Sequence, residues 1–280
     1  VRAVGMKPRS VILDLFGDYL RFVGSEVRAG DLVTLLSVLD VEPATTRMTL
    51  SRLKQEGWFT TERVGRETVY RLSHGLLTIL DEGRERIFEP YQEDWDGWWT
   101  QVVFTLPESD RTLRDQLKKK LSWLGFGSVT PSTWMSPRSQ VEQARALTEE
   151  FPGANIDVIS ARTGSIEESR SLVARCWDLS AMNSDYAEFL FGHRDLAEKA
   201  ARLEGQDALA ARVEVISTYR HFPFRDPSLP AALRPRGWHG DRAHDLFLEL
   251  HSALGPAATR FVGSVVGADL EAPTLLRKNV

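Results

Sequence analysis

Between residues 41 and 72 the chain reads VEPATTRMTLSRLKQEGWFTTERVGRETVYRL, and this stretch limits the possible folds more tightly than any other. Pro43 suits the first turn of a helix, where its missing N–H costs nothing. From there Thr46, Thr49, Leu50 and Leu53 recur at i, i+3, i+4 and i+7, a half-apolar stripe that has to be buried. Ala44, Met48, Ser51 and Gln55 form the opposite face, with Arg47 and Arg52 on its flanks. Gly57 stops the helix near residue 56. Two alternating runs follow, WFTTERV and TVYRLS, joined through Gly65 and Arg66, which predicts a hairpin. Upstream, Ile12, Leu15, Phe16 and Tyr19 predict a helix over 10–23 with Ser10 as its cap, and Leu32, Leu35, Leu36 and Leu39 predict a second over 29–40. Three helices and a basic-tipped hairpin make a winged helix-turn-helix. Its third helix would turn Thr45, Arg47, Met48, Ser51 and Arg52 toward the base edges and phosphates of duplex DNA, and its wing would bring Arg63 and Arg66 to the backbone. A small helical domain of the same outline that binds protein instead of DNA stays open at this point.

Charge supports a local contact rather than a coated molecule. The chain has a net charge of −4, yet residues 43–72 carry six Lys and Arg against three Glu, a net +3. A basic patch on an acidic body suits a protein that touches phosphate at one face only. No apolar run approaches the roughly 20 residues that span a bilayer, and VRAVGMKPRS lacks the apolar stretch of a secretory signal. The single Cys176 rules out an internal disulfide framework. These features together predict a soluble, cytoplasmic chain, and 280 residues are enough for two or three cores.

A helix led by Ser73 and ended by Pro90 leaves the first domain, assigned 1–90. Residues 91–165 then alternate: strand at GWWTQVVFTLP, helix with Leu113, Leu117, Leu121 and Leu124 inward, one or two strands across GSVTPSTWMSPR, helix at SQVEQARALTEEF, strand at NIDVISART. That order predicts a small ferredoxin-like α/β sandwich. Residues 166–280 read as a helical domain for effector binding or dimerisation, so the whole is α+β. Within it, FPFRDPSLPAALRPRGWHGDRAHDLF is too rich in aromatic, Arg and His residues for a plain linker and is expected to pack over a pocket. The last ten residues are expected to fray.

Several chemistries find no support in the residues. Metal-dependent phosphodiester cleavage on such a sheet would call for a carboxylate at the end of its first strand, where this chain has Thr105, Leu106 and Pro107. No nucleophile elbow or phosphate-cradling glycine loop occurs, and Cys176 in ARCWDL reads as core. His193, His221, His239, His244 and His251, with Asp241 and Asp245, could in principle hold a metal, but ordinary hydrogen-bonded histidines account for them more simply. No catalytic residues, cofactor or metal are assigned. The alternative is a metabolic enzyme, or an interaction module, in which the winged helix serves only for docking.

The segments TTRMTLSRLKQEGW, GWWTQVVFTLPE, RCWDLSAM and YRHFPFRDPSLPAALRPRGWHGDRAHDLF, in this order, resemble the PaaX family of phenylacetate-degradation repressors over residues 9–262. The resemblance implies a homodimeric repressor with a winged helix, a central domain similar to a small CRISPR-associated protein, and a helical C-terminal domain. It also implies release from a DNA operator by phenylacetyl-coenzyme A. Arg47, Ser51, Arg52 and Leu53 match the family's recognition helix; Thr46 and Thr49 stand where more apolar residues are expected, and His239 where proline is common. A coenzyme A thioester needs cations for its phosphates and an apolar pocket for its acyl group. The candidates are Arg175, Trp177 and Tyr186 in one segment, Tyr219, Arg220, Phe222 and Arg225 in another, together with His239. Each could equally be a structural ion pair or core residue. Their pocket is expected between the central and C-terminal domains.

Overall fold

Pro8 opens α1 (Pro8–Asp18) in the computed structural model, which describes residues 6–23, 26–88 and 94–270. Lys7, not Ser10, stands at the N-cap, since proline fits the first helical position. The helix ends at Asp18, earlier than its apolar spacing predicts, and a 3-10 turn, Leu20–Phe22, follows. Next come β1 (Glu26–Arg28), α2 (Ala29–Val38), α3 (Pro43–Gln55), β2 (Phe59–Val64), β3 (Glu67–Leu72) and α4 (His74–Phe88). Ser73 Oγ accepts from the Leu76 N–H at 3.3 Å, as a helix cap does; Pro90, expected to end this helix, lies outside the described residues. The chain continues through β4 (Trp99–Thr105), α5 (Arg111–Trp123), β5 (Gly127–Thr130), β6 (Thr133–Ser136), α6 (Val141–Glu150) and β7 (Asn155–Ala161). Five helices follow among the described residues: α7 (Ile166–Cys176), α8 (Leu179–Ala197), α9 (Gly205–Tyr219), the short α10 (Phe222–Arg225) and α11 (Gly240–Val266). The final ten residues lie outside the described part.

Two compact units result, an α+β architecture with two antiparallel sheets and a helical C-terminal region. The first unit takes residues 1–89, 187–221 and 241–280. Here α3 packs on α1 and α2 through Thr46, Leu50 and Leu53, all but fully buried. The three-stranded sheet has the order β1-β3-β2. β2 and β3 pair from Phe59 opposite Leu72 to Val64 opposite Glu67, and β1 adds Val27 opposite Tyr70. The sheet's inner face meets the helices where the Phe16 and Phe59 rings lie 4.9 Å apart. Gly65, at φ +64°, makes the tight turn between β2 and β3.

The second unit takes residues 90–186 and 222–240. From β4 to β7 its elements run strand, helix, strand, strand, helix, strand, with α7, the start of α8 and α10 following, and the sheet order is β5-β6-β4-β7, antiparallel throughout. The segment around Pro131 is thus two strands, with an irregular register between Ser128 and Thr130. One sheet face buries Val102, Phe104 and Trp134 against Leu117 and Leu121 of α5 and Leu147 of α6. Each fully buried leucine contributes about 1.5–3 kcal/mol. The other face presents Trp99 and Met135 to Leu172 and Val173 of α7 and to Leu229 and Leu233 of the Pro-rich bend. Among the described residues no helix is long and apolar enough to cross a membrane.

Candidate nucleic-acid interface and effector residues

The outer face of α3 is exposed along its length. Arg47, Ser51 and Arg52 are exposed, Met48 is 61% exposed, and Thr45 is half-buried at the edge of the face. The threonines of the inner face differ in how their hydroxyls are satisfied. Thr49 Oγ1 donates to the Thr45 carbonyl at 2.8 Å, whereas Thr46, fully buried, leaves its hydroxyl without a hydrogen-bond partner among the described residues. Arg63 near the end of β2 and Arg66 in the following turn are exposed beside Val64, itself 56% exposed.

Ion pairing separates the arginines of this region into two sets. Arg9 pairs with Glu56 and Arg21 with Asp81; Arg28 pairs with Glu67, and Arg71 bridges Glu26 and Glu62. Arg47, Arg52, Arg63 and Arg66 have no carboxylate partner among the described residues. A guanidinium left unpaired at the surface is available for bidentate contact with a phosphate or a guanine edge. Strand β1 was not evident in the sequence, because three residues with one apolar side chain carry no readable alternation.

The candidate effector residues fall into three places. Arg175 is exposed and Trp177 half-buried at the end of α7. Trp177 lies against Gly127, where a Cβ would come within 2.5 Å of the indole, so only glycine lets the ring seat on the sheet. Tyr186, Phe222, Arg225 and His239 gather elsewhere in the same unit. Tyr186 and Phe222 have ring centroids 4.4 Å apart, and the Tyr186 hydroxyl donates to Asp226 at 2.7 Å. Arg225 pairs with Asp185 at 2.8 Å, and the His239 backbone N–H donates to Asn183 at 2.7 Å. Tyr219 and Arg220 belong to the first unit. Tyr219 stacks on Phe247 at 4.2 Å and its hydroxyl lies 3.0 Å from His244 Nδ1; Arg220 pairs with the buried Asp14 at 2.9 Å. The histidines are similarly engaged: His193 with the Phe189 carbonyl and His251 with Asp18. Among the described residues no group of three or more His, Cys, Asp or Glu could hold a metal.

Two buried carboxylates on α1 escaped sequence reading altogether. Asp14 and Asp18 sit one turn apart in line with Val11 and Leu15, which is the signal that could have exposed them: charge inside an apolar stripe. Asp18 meets Arg212 of α9 at 2.9 Å and His251 of α11 at 2.9 Å. Burial pushes Asp14 up to about 7, against the opposing pull of Arg220. The folded state therefore holds a proton there that the unfolded chain releases near 4, and Asp14 makes stability fall as pH rises from about 4 to about 7. Burial lowers His251, which tilts stability the opposite way below its ordinary value, so the difference between two proteins is what isolates Asp14. Subtracting an Asp14→Asn curve from the parent's, by urea unfolding at intervals of pH, should leave a slope of up to about 1.4 kcal/mol per pH unit in that window. Parallel curves would mean that Asp14 is ionised throughout.

Three family descriptions match consecutive stretches of the chain: "PaaX-like protein" over residues 7–76, "PaaX protein central Cas2-like domain" over 92–173 and "PaaX-like protein C-terminal domain" over 177–264. The transcriptional repressor PaaX of Escherichia coli (strain K12) is 32% identical over 285 residues, which cover 98% of this chain and 89% of that protein. Among solved structures, the uncharacterized protein Rv0674 from Mycobacterium tuberculosis is similar with a TM-score of 0.63 at 21% identity, over 92% of this chain and 98% of that one. That second likeness is one of fold.

Proposed function

The chain belongs to the PaaX family, and from that premise we propose that it is a DNA-binding transcriptional repressor of aromatic-acid catabolism genes of the phenylacetate type, released from its operator by an aryl-acyl-coenzyme A such as phenylacetyl-coenzyme A. It works in the cytoplasm as a homodimer, and it is a regulator rather than an enzyme. In this reading α1, α2, α3 and the β1-β3-β2 sheet are a winged helix-turn-helix, with α3 in the major groove and the β2–β3 turn on the backbone. The second unit is a ferredoxin-like sandwich, which its element order and the sheet order β5-β6-β4-β7 favour. Two recognition helices of a dimer would span successive major grooves, and effector binding would favour a dimer geometry that no longer matches that spacing.

The observation that carries the reading is the set of unpaired, exposed guanidiniums at Arg47, Arg52, Arg63 and Arg66, in a region whose other arginines include four bound to carboxylates. Their placement along the outer side of one helix and at one hairpin tip supports contact with phosphates and base edges. The test is a gel shift against DNA upstream of the protein's own gene, with phenylacetyl-coenzyme A, coenzyme A or phenylacetate added. A retarded band abolished by the thioester alone is expected. Absence of any shift would point to the protein-binding alternative, and turnover of the thioester to the enzymatic one.

A further inference from the structure

A groove of about 560 Å³ runs along the end of α7 and the start of α8. Val173, Leu179 and Leu233, all buried, give it an apolar floor, and the Trp177 ring held over Gly127 stands at its side. Three arginines surround that floor: Arg170, Arg175 and Arg234. Arg170 Nε donates to the Ala232 carbonyl at 3.0 Å and Arg234 Nε to the Leu229 carbonyl at 2.6 Å, so both side chains are anchored on the Pro-rich bend. Arg175 is exposed and makes no ion pair or hydrogen bond among the described residues. The one carboxylate in the lining, Asp178, accepts from the Ala181 N–H at 3.0 Å and so serves the start of α8. The groove is therefore cationic around an apolar floor, and its size lies in the range of sites that enclose small ligands.

We infer that this groove is the effector site: Arg170 and Arg175 take the phosphate oxygens of an acyl-coenzyme A, and the aryl-acyl end lies on Val173, Leu179 and Leu233 beside Trp177. The placement rests on the effector reading under Proposed function and adds a location to it. An anion without an apolar portion would leave the floor wet, and an apolar acid without phosphates would leave two guanidiniums unused, so the shape and charge favour the thioester over either fragment. Cys176 also lines the groove, and burial pushes its thiol up to about 11, leaving about one thiolate in ten thousand at pH 7. A bound thioester is thereby spared attack by the one sulfur nucleophile nearby, as a ligand that must survive binding requires.

The experiment compares the full-length parent with Arg170→Ala/Arg175→Ala and with Arg175→Glu, using phenylacetyl-coenzyme A, coenzyme A and phenylacetate as probes in calorimetry and in operator release. Arg175→Glu removes no hydrogen bond or ion pair among the described residues, so it reports on the groove even if loss of Arg170 loosens the bend. Both variants should bind phenylacetyl-coenzyme A roughly 30-fold or more weakly, the scale expected for losing charge-assisted hydrogen bonds. Operator affinity without effector should match the parent's, and release should need proportionately more thioester. Coenzyme A should bind the parent more weakly than the thioester, and phenylacetate more weakly still. If the parent is released by the thioester and both variants respond as it does, the groove is not the site and the effector reading stands. A parent that binds its operator but ignores the thioester overturns the effector reading and this placement with it.

Discussion

Asp18→Asn should destabilise the protein by about 3–5 kcal/mol, the cost of leaving one partner of a buried ion pair without the other. Arg212 is 1% exposed and cannot turn to water when its carboxylate is removed. His251, 2% exposed, lies 2.9 Å from Asp18 and 2.7 Å from an Arg212 nitrogen, so the disturbance would reach three helices: α1, α9 and α11. Burial alone would raise Asp18, but His251 and Arg212 outweigh it and hold the carboxyl at about 2. The corresponding stability is present above about pH 4 and is lost as pH falls toward 2. Urea unfolding near pH 7 should show a lower midpoint with an unchanged slope. The double variant Asp18→Leu/Arg212→Met separates pairing from burial, because replacing both charges by apolar groups of similar volume removes the desolvation cost together with the attraction. It should recover most of the loss, since exchanges of this kind are often neutral or stabilising. If Asp18→Asn costs less than about 1 kcal/mol, water reaches this site and the pair is not a buried one. The consequence for function follows from where the pair lies. It fastens α1, on which α3 packs, to α9 and α11, so a shift of either C-terminal helix would act on the helix that supports α3.

How far the sequence disclosed these features depends on the distance between partners. Helix α3 and the β2–β3 hairpin are local: a stripe of Thr46, Leu50 and Leu53, then two alternating runs around a glycine, are enough to specify them. The elements of the second unit were legible for the same reason, down to Leu117 and Leu121 as the buried side of α5. The strand registers were not, because Trp99 opposite Ala161 joins the first strand of that unit to its last and leaves no local trace. Arg220 illustrates the limit for side chains. Its place beside aromatics left a ligand contact and an ion pair equally open, and the partner it pairs with, Asp14 at 2.9 Å, comes from a helix at the other end of the sequence. Arg170 and Arg234 passed unnoticed beside Arg175 and Trp177, since only the fold brings the Pro-rich bend to the end of α7. The spacing of an amphipathic helix reports which side is buried; it carries no information about what the exposed side will meet.

Arg47→Ala and Arg52→Ala should each weaken operator binding by about 1–3 kcal/mol, roughly 5- to 150-fold, if the side chain forks onto a base edge. Two classes of contact can be separated by measuring each variant against the operator and against unrelated DNA over a range of salt. Truncating a base-reading arginine on α3 should reduce specific binding far more than non-specific binding and relax the sequence preference at one position. Arg63→Ala and Arg66→Ala, at the hairpin tip, should instead weaken both kinds of DNA alike and reduce the magnitude of the logarithmic salt slope by about 0.9 per phosphate released. The contrast follows from placement: Arg47 and Arg52 flank Met48 and Ser51 on a helix face, whereas Arg63 and Arg66 project with Val64 at a tight turn. None of the four gives up an ion pair among the described residues when truncated, so a change in DNA affinity is separable from a change in folding. Should all four variants alter the salt slope and none the sequence preference, α3 lies along the backbone, and operator choice must come from the shape of the duplex instead.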